Sequence, residues 1–330
     1  MPVIIKTENL SKIYGGKIKA LEDLNIEIEE GEVYGLLGPN GAGKSTTINL
    51  LTTRITPTSG TALVGGFDIK KHSMDVRKVI GVVPQDLTTD EDLTGYENLM
   101  MVARFYDVPK NLANERIATL LRLVDLEEAA SRYVKQYSGG MRKRLELIVG
   151  LVHDPKILFL DEPTLGLDVQ TRTQMWEYVR DIQKKLNVTI ILTSHYLEEV
   201  DALANRISII DHGKILITGT PEGLKESLKG DIVQLTFKNQ EDAETMKKFP
   251  EATEARDFGP NIVRVTVRNS DEVLPVLIKY VSENNLTIMR MTVQKPSLDE
   301  VFLQYTGRDI RQEDAGDVRK MMMNMRRMRR

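Results

Sequence analysis

The chain has 330 residues, 41% hydrophobic and 28% charged, which excludes a disordered or fibrous protein and fits one large α/β domain with a small one beside it. Forty-five Lys and Arg against 48 Asp and Glu leave a net charge of −3, so no global positive field draws the chain to nucleic acid, and none is expected as a partner. The absence of cysteine excludes a disulfide scaffold, a thiol nucleophile and Cys-ligated zinc or iron–sulfur clusters, and only four histidines argue against a structural metal site.

Met1 to Leu10 lacks the basic start and apolar run of a secretory signal, and no stretch approaches the roughly 20 apolar residues of a spanning helix. The chain is therefore expected to be soluble, with any membrane role exercised through a partner. From Val3 to Gly219, short β-branched runs alternate with amphipathic stretches, the pattern of a sheet covered by helices. Strands are predicted at Val33 to Leu37, Ile80 to Pro84, Ile157 to Leu160, Thr189 to Thr193 and Arg206 to Asp211, each apolar enough to be buried on both faces. Over about residues 90–153 helical periodicity replaces the strand signal, opened by a Thr94-x-x-Glu97 capping box, so a helical subdomain is predicted within the α/β core.

Gly219 to Gly230 ends this pattern and leads through a short helix into a second domain. Alternation around Val233, Leu235 and Phe237, around Val263, Val265 and Val267, and around Met289, Met291 and Val293 predicts three strands buried on one side. Helices are predicted over Glu241 to Phe249, Ser270 to Asn285, and from the capping box Ser297-x-x-Glu300 to Gly307. Residues 1–220 thus read as the large α/β domain, 221–307 as a small α+β domain, and 308–330 as a Met- and Arg-rich tail expected to be disordered.

Gly38-Pro39-Asn40-Gly41-Ala42-Gly43-Lys44-Ser45 matches G-x-x-x-x-G-K-[ST] between the strand ending at Leu37 and a helix starting near Thr46, where a P-loop must lie. Its glycines let backbone N–H groups surround phosphate oxygens, the helix N-terminus adds partial positive charge, Lys44 supplies a cation, and Ser45 can ligate Mg²⁺. Asp161 and Glu162 follow a buried strand at the sheet edge where open α/β folds bind ligands. Because neighbouring strand residues point opposite ways, the two acids are expected to divide the work: Asp161 for the Mg²⁺ shell, Glu162 as a base for the attacking water. Ser138-Gly139-Gly140 precedes the helical run Arg142 to Val152, where Ser138 is either a plain N-cap or part of an anion site. His195 after its strand, Gln85 after Pro84, and Asp168 are unremarkable alone, and Tyr14 either stacks on a base or covers the core edge.

In combination and in this order, the P-loop, Gln85, Tyr137-Ser138-Gly139-Gly140, Leu160-Asp161-Glu162-Pro163-Thr164, Gly166-Leu167-Asp168 and His195 resemble the nucleotide-binding domain of ABC transporters. The resemblance implies a P-loop NTPase fold of ABC type and hydrolysis of ATP. By it, Tyr14 lies under the adenine, Gly38 to Thr46 hold the phosphates, Ser45, Gln85 and Asp161 hold Mg²⁺, Glu162 is the catalytic base, and His195 contacts the γ-phosphate. It also implies that Ser138, Gly139 and Gly140 of one subunit close over the ATP on another, with Asp168 at the seam. The partner across that seam is a second copy or a related ATPase subunit.

The family's usual Gln after Ser-Gly-Gly is Met141 here, which resembles the daunorubicin-resistance type of exporter ATPases, as do Asp90 to Leu99 and Pro296 to Gly307. That subgroup implies a separate transmembrane permease subunit, export of drugs, lipids or polysaccharides, and a cytoplasmic place on the inner face of the cell membrane. The alternative, a soluble ABC ATPase acting on ribosomes or DNA, is disfavoured by the single ATPase domain, the missing coiled coils and zinc modules, and the net negative charge.

Overall fold

A computed structural model describes residues 1–228 and 230–307, so the tail expected at 308–330 lies outside the described residues. The described chain divides into a unit spanning Met1–Thr220 and a second beginning at Pro221.

The first unit opens with strands β1 (Val3–Tyr14), β2 (Ile18–Leu24) and β3 (Glu27–Glu29), then β4 (Val33–Leu37) and helix α1 (Lys44–Leu51). Strands β5 (Ser59–Val64) and β6 (Phe67–Asp68), helix α2 (Ser73–Val79) and β7 (Ile80–Val83) follow. Helices α3 (Gly95–Phe105), α4 (Lys110–Leu123) and α5 (Gly139–Val149) come before β8 (Ile157–Asp161). The unit closes with α6 (Val169–Leu186), β9 (Thr189–Ser194), α7 (Leu197–Leu203), β10 (Arg206–Asp211) and β11 (Lys214–Gly219).

The five strands predicted from apolar runs, joined by the unpredicted antiparallel β11, form one sheet of order β11-β10-β4-β9-β8-β7, parallel from β10 through β7. Every residue of β4 and β9 is buried, as continuous apolar strands covered on both faces require. The expectation of a single covered sheet falls short, because β1, β2, β3, β5 and β6 build a second, antiparallel sheet. Its pairings carry register shifts, so its strands show no clean alternation to read. The helical insertion lies between β7 and β8 as predicted. Its capping box is formed at both ends: Thr94 Oγ1 accepts from the Glu97 N–H, and the Glu97 carboxylate accepts from the Thr94 N–H.

The second unit contains α8 (Pro221–Glu226), β12 (Asp231–Phe237), α9 (Gln240–Met246), β13 (Glu254–Gly259), β14 (Ile262–Val267), α10 (Ser270–Glu283), β15 (Ile288–Gln294) and α11 (Leu298–Thr306). Its sheet order is β13-β14-β12-β15, one strand more than predicted. The extra strand, β13, is mostly exposed and polar, so it carries no apolar alternation. The third predicted strand is present, but Met289 is 65% and Val293 41% exposed. A register shift between Thr236 and Phe237 places Ile288, not Met289, opposite the core residue Phe237.

Candidate functional site

The parallel strands bring four loops to one edge of the sheet. Leu37 of β4 is in register with Ser194 of β9, Thr193 with Asp161 of β8, and Leu160 with Val83 of β7. The P-loop, His195, Glu162 and Gln85 therefore leave the sheet side by side, at the carboxyl ends where α/β sheets place ligands.

Local chain geometry explains the P-loop. A Cβ on Gly38 would stand 2.3 Å from the Ile210 carbonyl, so only glycine lets the loop leave β4 beside β10. Gly43, with φ of 114° and a position where a Cβ would stand 2.8 Å from the Ala20 carbonyl, turns the chain into α1. The Lys44 ammonium then donates to the carbonyls of Gly38 at 2.6 Å and Pro39 at 3.2 Å, inside the curve of its own loop.

The two acids meet adjacent residues of this loop. Ser45 Oγ donates to Asp161 Oδ1 at 3.3 Å, while Glu162 pairs with Lys44 Nζ at 3.4 Å and lies 3.2 Å from His195 Nδ1. Strand alternation does not separate them as expected. Strand β8 ends at Asp161, and Glu162 adopts a left-handed φ of 52°, a conformation in which non-glycine residues persist where the surroundings enforce it. The enforcing contacts come from Thr193, whose backbone carbonyl accepts from the Glu162 N–H at 3.2 Å. The fully buried Thr193 hydroxyl donates to Asp161 Oδ1 at 2.6 Å and accepts from the Glu162 N–H at 3.2 Å, so it supports both acids. The sequence reasoning passed over this residue, although its place at the end of a buried strand beside the acids was a usable signal.

The surroundings of Glu162 favour its ionised form. Burial would raise the Glu162 carboxyl, but the hydrogen bond from His195 and the charge of Lys44 together outweigh it and hold the group below the ordinary carboxylate range. Glu199 in α7 is fully buried, with Trp176 Nε1 3.3 Å from its carboxylate, and burial pushes this carboxyl up.

Two hollows divide the predicted residues. One, of about 180 Å³, is lined by Asn40, Gly41, Lys44, Ser45, Gln85 and Glu162 among others. The other, of about 360 Å³, is lined by Ser138, Gly139, Gly140, Gly166, Leu167 and Asp168 among others. They share no lining residue. Ser138 caps α5 by accepting from the Met141 N–H at 3.3 Å, so the two glycines are the first turn of the helix rather than a leader to it. A Cβ on Gly139 would meet nothing within 4 Å, which leaves that backbone bare to an incoming group. Asp168 likewise caps α6, accepting from the Thr171 N–H and hydroxyl. Tyr14 ends β1, 40% exposed and with the Lys12 ammonium 5.2 Å from its ring centre, and does not line the P-loop hollow. Ala20 on β2 does.

Among the described residues no group of three or more His, Cys, Asp or Glu side chains is placed to hold a metal ion, and no helix is long and apolar enough to cross a membrane. A cation at the P-loop would have to be held by the oxygen set of Ser45 and Asp161 together with phosphate, which is how Mg²⁺ is usually held.

Comparison with known proteins gives a consistent picture. A family model described as ABC transporter matches residues 21–165, and one described as the C-terminal domain of DrrA1-3-like ATP-binding proteins matches residues 219–306. The daunorubicin/doxorubicin resistance ATP-binding protein DrrA of Streptomyces peucetius is 39% identical over 92% of this chain and 92% of its own length. The linearmycin resistance ATP-binding protein LnrL of Bacillus subtilis is 34% identical over 93% of this chain and all of its own. Among solved structures, a dimeric ATP-binding cassette in a post-hydrolysis state bound to ADP and Pi superimposes with a TM-score of 0.59 at 25% identity, covering 66% of this chain and 98% of that one.

Proposed function

Since the chain belongs to the ABC transporter ATP-binding proteins, in the branch that carries a DrrA-like C-terminal domain, we propose that it is the ATP-hydrolysing energy-coupling subunit of an exporter whose membrane path is a separate permease. The observation that carries the reading is Glu162, an ionised carboxylate held between the P-loop Lys44 and His195 at the end of a buried strand. We assign ATP hydrolysis to the unit Met1–Thr220 and an accessory role to the unit from Pro221.

In this reading the backbone of Gly38 to Thr46 and the Lys44 ammonium bind the β- and γ-phosphates. Ser45 and Asp161, with Gln85 from the neighbouring loop, hold Mg²⁺, which supplies charge neutralisation on the phosphates. Glu162 orients the attacking water and takes its proton, and His195 steadies Glu162 and contacts the γ-phosphate. Tyr14, beside the loop that leads to Ala20, stacks on the base once nucleotide draws it in.

A hollow of about 180 Å³ is smaller than the roughly 300 Å³ at the low end of small-molecule pockets, so the P-loop side offers only part of the enclosure a nucleotide needs. The bare helix start at Ser138 to Gly140, bordered by Asp168, supplies the rest from a second subunit. The working form is then a dimer with nucleotide between the subunits, seated on the permease at the inner face of the membrane. The names of DrrA and LnrL, resistance proteins for daunorubicin/doxorubicin and for linearmycin, favour a drug over a lipid or polysaccharide as the cargo.

The test begins with phosphate release by the purified full chain. Glu162→Gln should keep ATP binding and lose about 10²- to 10⁴-fold in turnover. The same variant, tagged in its native host and extracted gently from membranes with ATP present, should co-purify with a stoichiometric multi-spanning protein. Full turnover in the variant refutes the base assignment, and recovery of ribosomal proteins or nucleic acid in place of a membrane protein refutes the exporter reading.

A further inference from the structure

Helix α5 begins at the Ser138–Gly140 hollow and runs beneath the loop that carries Gln85. Three of its side chains grip that loop. Lys143 Nζ donates to the Gln85 carbonyl at 2.9 Å, and Arg142 pairs with Glu91. Glu146, one turn beyond Lys143 and only 2% exposed, accepts from the Thr88 N–H at 2.6 Å, the Thr89 N–H at 2.6 Å and the Thr88 hydroxyl at 2.8 Å.

Such a contact is unusual in kind. A buried carboxylate is costly unless its oxygens are satisfied, and here all three donors come from one irregular segment between β7 and α3. Two of them are the consecutive backbone N–H groups of exposed Thr88 and half-buried Thr89, drawn onto one buried carboxylate oxygen. Glu146 therefore does for this loop what a capping residue does for a helix end: it fixes the backbone path, and it does so from another element. The Lys143 contact fixes the same path three residues earlier, at Gln85 itself. Burial holds the Lys143 ammonium below the ordinary lysine range, so the contact is partly shielded from water.

We propose that Glu146 is a positioning residue that makes the Gln85 loop and the Ser138–Gly140 helix move as one body. The inference rests on the ATPase reading above, in which Gln85 faces Mg²⁺ at one nucleotide and Ser138 to Gly140 close over another. A displacement of Gln85 by the nucleotide on its own P-loop is then transmitted along α5 to the surface offered to the second nucleotide. Glu146 touches neither nucleotide, and its effect passes through the loop.

The test uses the full-length protein. Glu146→Ala should bind a fluorescent ATP analogue within about twofold of the parent, because the P-loop is untouched, while kcat falls tenfold or more. Thr88→Val, which removes one of the three donors and leaves both backbone contacts, should fall between the two and covers the case in which Glu146→Ala does not fold. A double-variant cycle identifies the route. In a Gln85→Ala background, Glu146→Ala should cost less than a further twofold in kcat, because the loop through which it acts no longer reports on the nucleotide. Multiplicative losses in the cycle, a kcat unchanged in Glu146→Ala, or loss of analogue binding by a folded Glu146→Ala protein would each overturn the proposal. Failure of the underlying ATPase reading is a separate result, seen as absence of turnover in the parent itself.

Discussion

Replacing Thr193 by Val exchanges a buried hydroxyl for a methyl group at the point where both acids are supported. The hydroxyl is the shortest contact Asp161 makes, at 2.6 Å, and the other, from Ser45, is 3.3 Å long. The Glu162 N–H keeps its second acceptor, the Thr193 carbonyl, so the loss falls mainly on Asp161. A hydrogen bond to a charged acceptor contributes about 1.5–3 kcal/mol, and because Asp161 is only half-buried the lower end of that range applies. For a unit of this size each kcal/mol lowers the melting temperature by roughly 2–4 °C. The functional effect should exceed what that loss of stability explains. Outer-shell partners of metal-binding carboxylates typically alter metal affinity 10- to 100-fold, so the Mg²⁺ concentration giving half-maximal phosphate release at saturating ATP should rise by about that factor. Thr193→Ser, which keeps the hydroxyl, should restore the parent's Mg²⁺ dependence. An unchanged Mg²⁺ dependence in a folded Val variant, or a Ser variant as impaired as Val, refutes the assignment of Thr193 as the support of Asp161.

Other consequences can be measured on the same protein. Because the folded state holds Glu162 below its ordinary range, its ionisation contributes stability that is fully present above the unfolded value of about 4.3 and is lost as pH falls through the folded value. Urea unfolding across pH 3 to 6 should therefore show a shallower acid slope in Glu162→Gln, and equal slopes contradict the coupling. Gly38→Ala, whose methyl would stand 2.3 Å from the Ile210 carbonyl, should lose nucleotide binding, as judged by fluorescent-analogue titration. Phe302 in α11 is 1% exposed, and Phe302→Ala should cost about 3–5 kcal/mol in denaturant unfolding of the second unit with little change in ATP binding.

What the sequence made legible follows from where the physics is local. The strands of the parallel sheet could be read because burial on both faces demands unbroken apolar runs, as in Ile157 to Leu160. The P-loop could be read because its function lies in backbone conformation, which glycine placement betrays. The antiparallel sheet and β13 could not, since register shifts and exposure erase alternation. Met289 was misplaced because a one-residue shift opposite Phe237 exchanges the faces of β15, an event set by pairing and invisible within the strand itself. Asp161 and Glu162 do stand beside the P-loop, but strand alternation is not what separates them. A left-handed residue after the strand, not the pleat, aims Glu162 at Lys44. Glu146 was beyond reach, because a lone Glu after the basic run Arg142-Lys143-Arg144 reads as solvated until the Thr88 loop folds over it.

The separation of the two hollows on one chain carries a genetic consequence. On the proposed reading, each chain of a two-fold pair lends its P-loop to one composite centre and its Ser138 helix to the other. A chain damaged at Lys44 and a chain damaged at Ser138 are each dead as homodimers. A mixed dimer has one centre that carries both lesions and one that carries none, so if single centres fire independently each mixed dimer keeps about half the activity of a parental dimer, and random pairing of equal amounts restores about a quarter overall. If the two centres must fire together, the mixture stays silent.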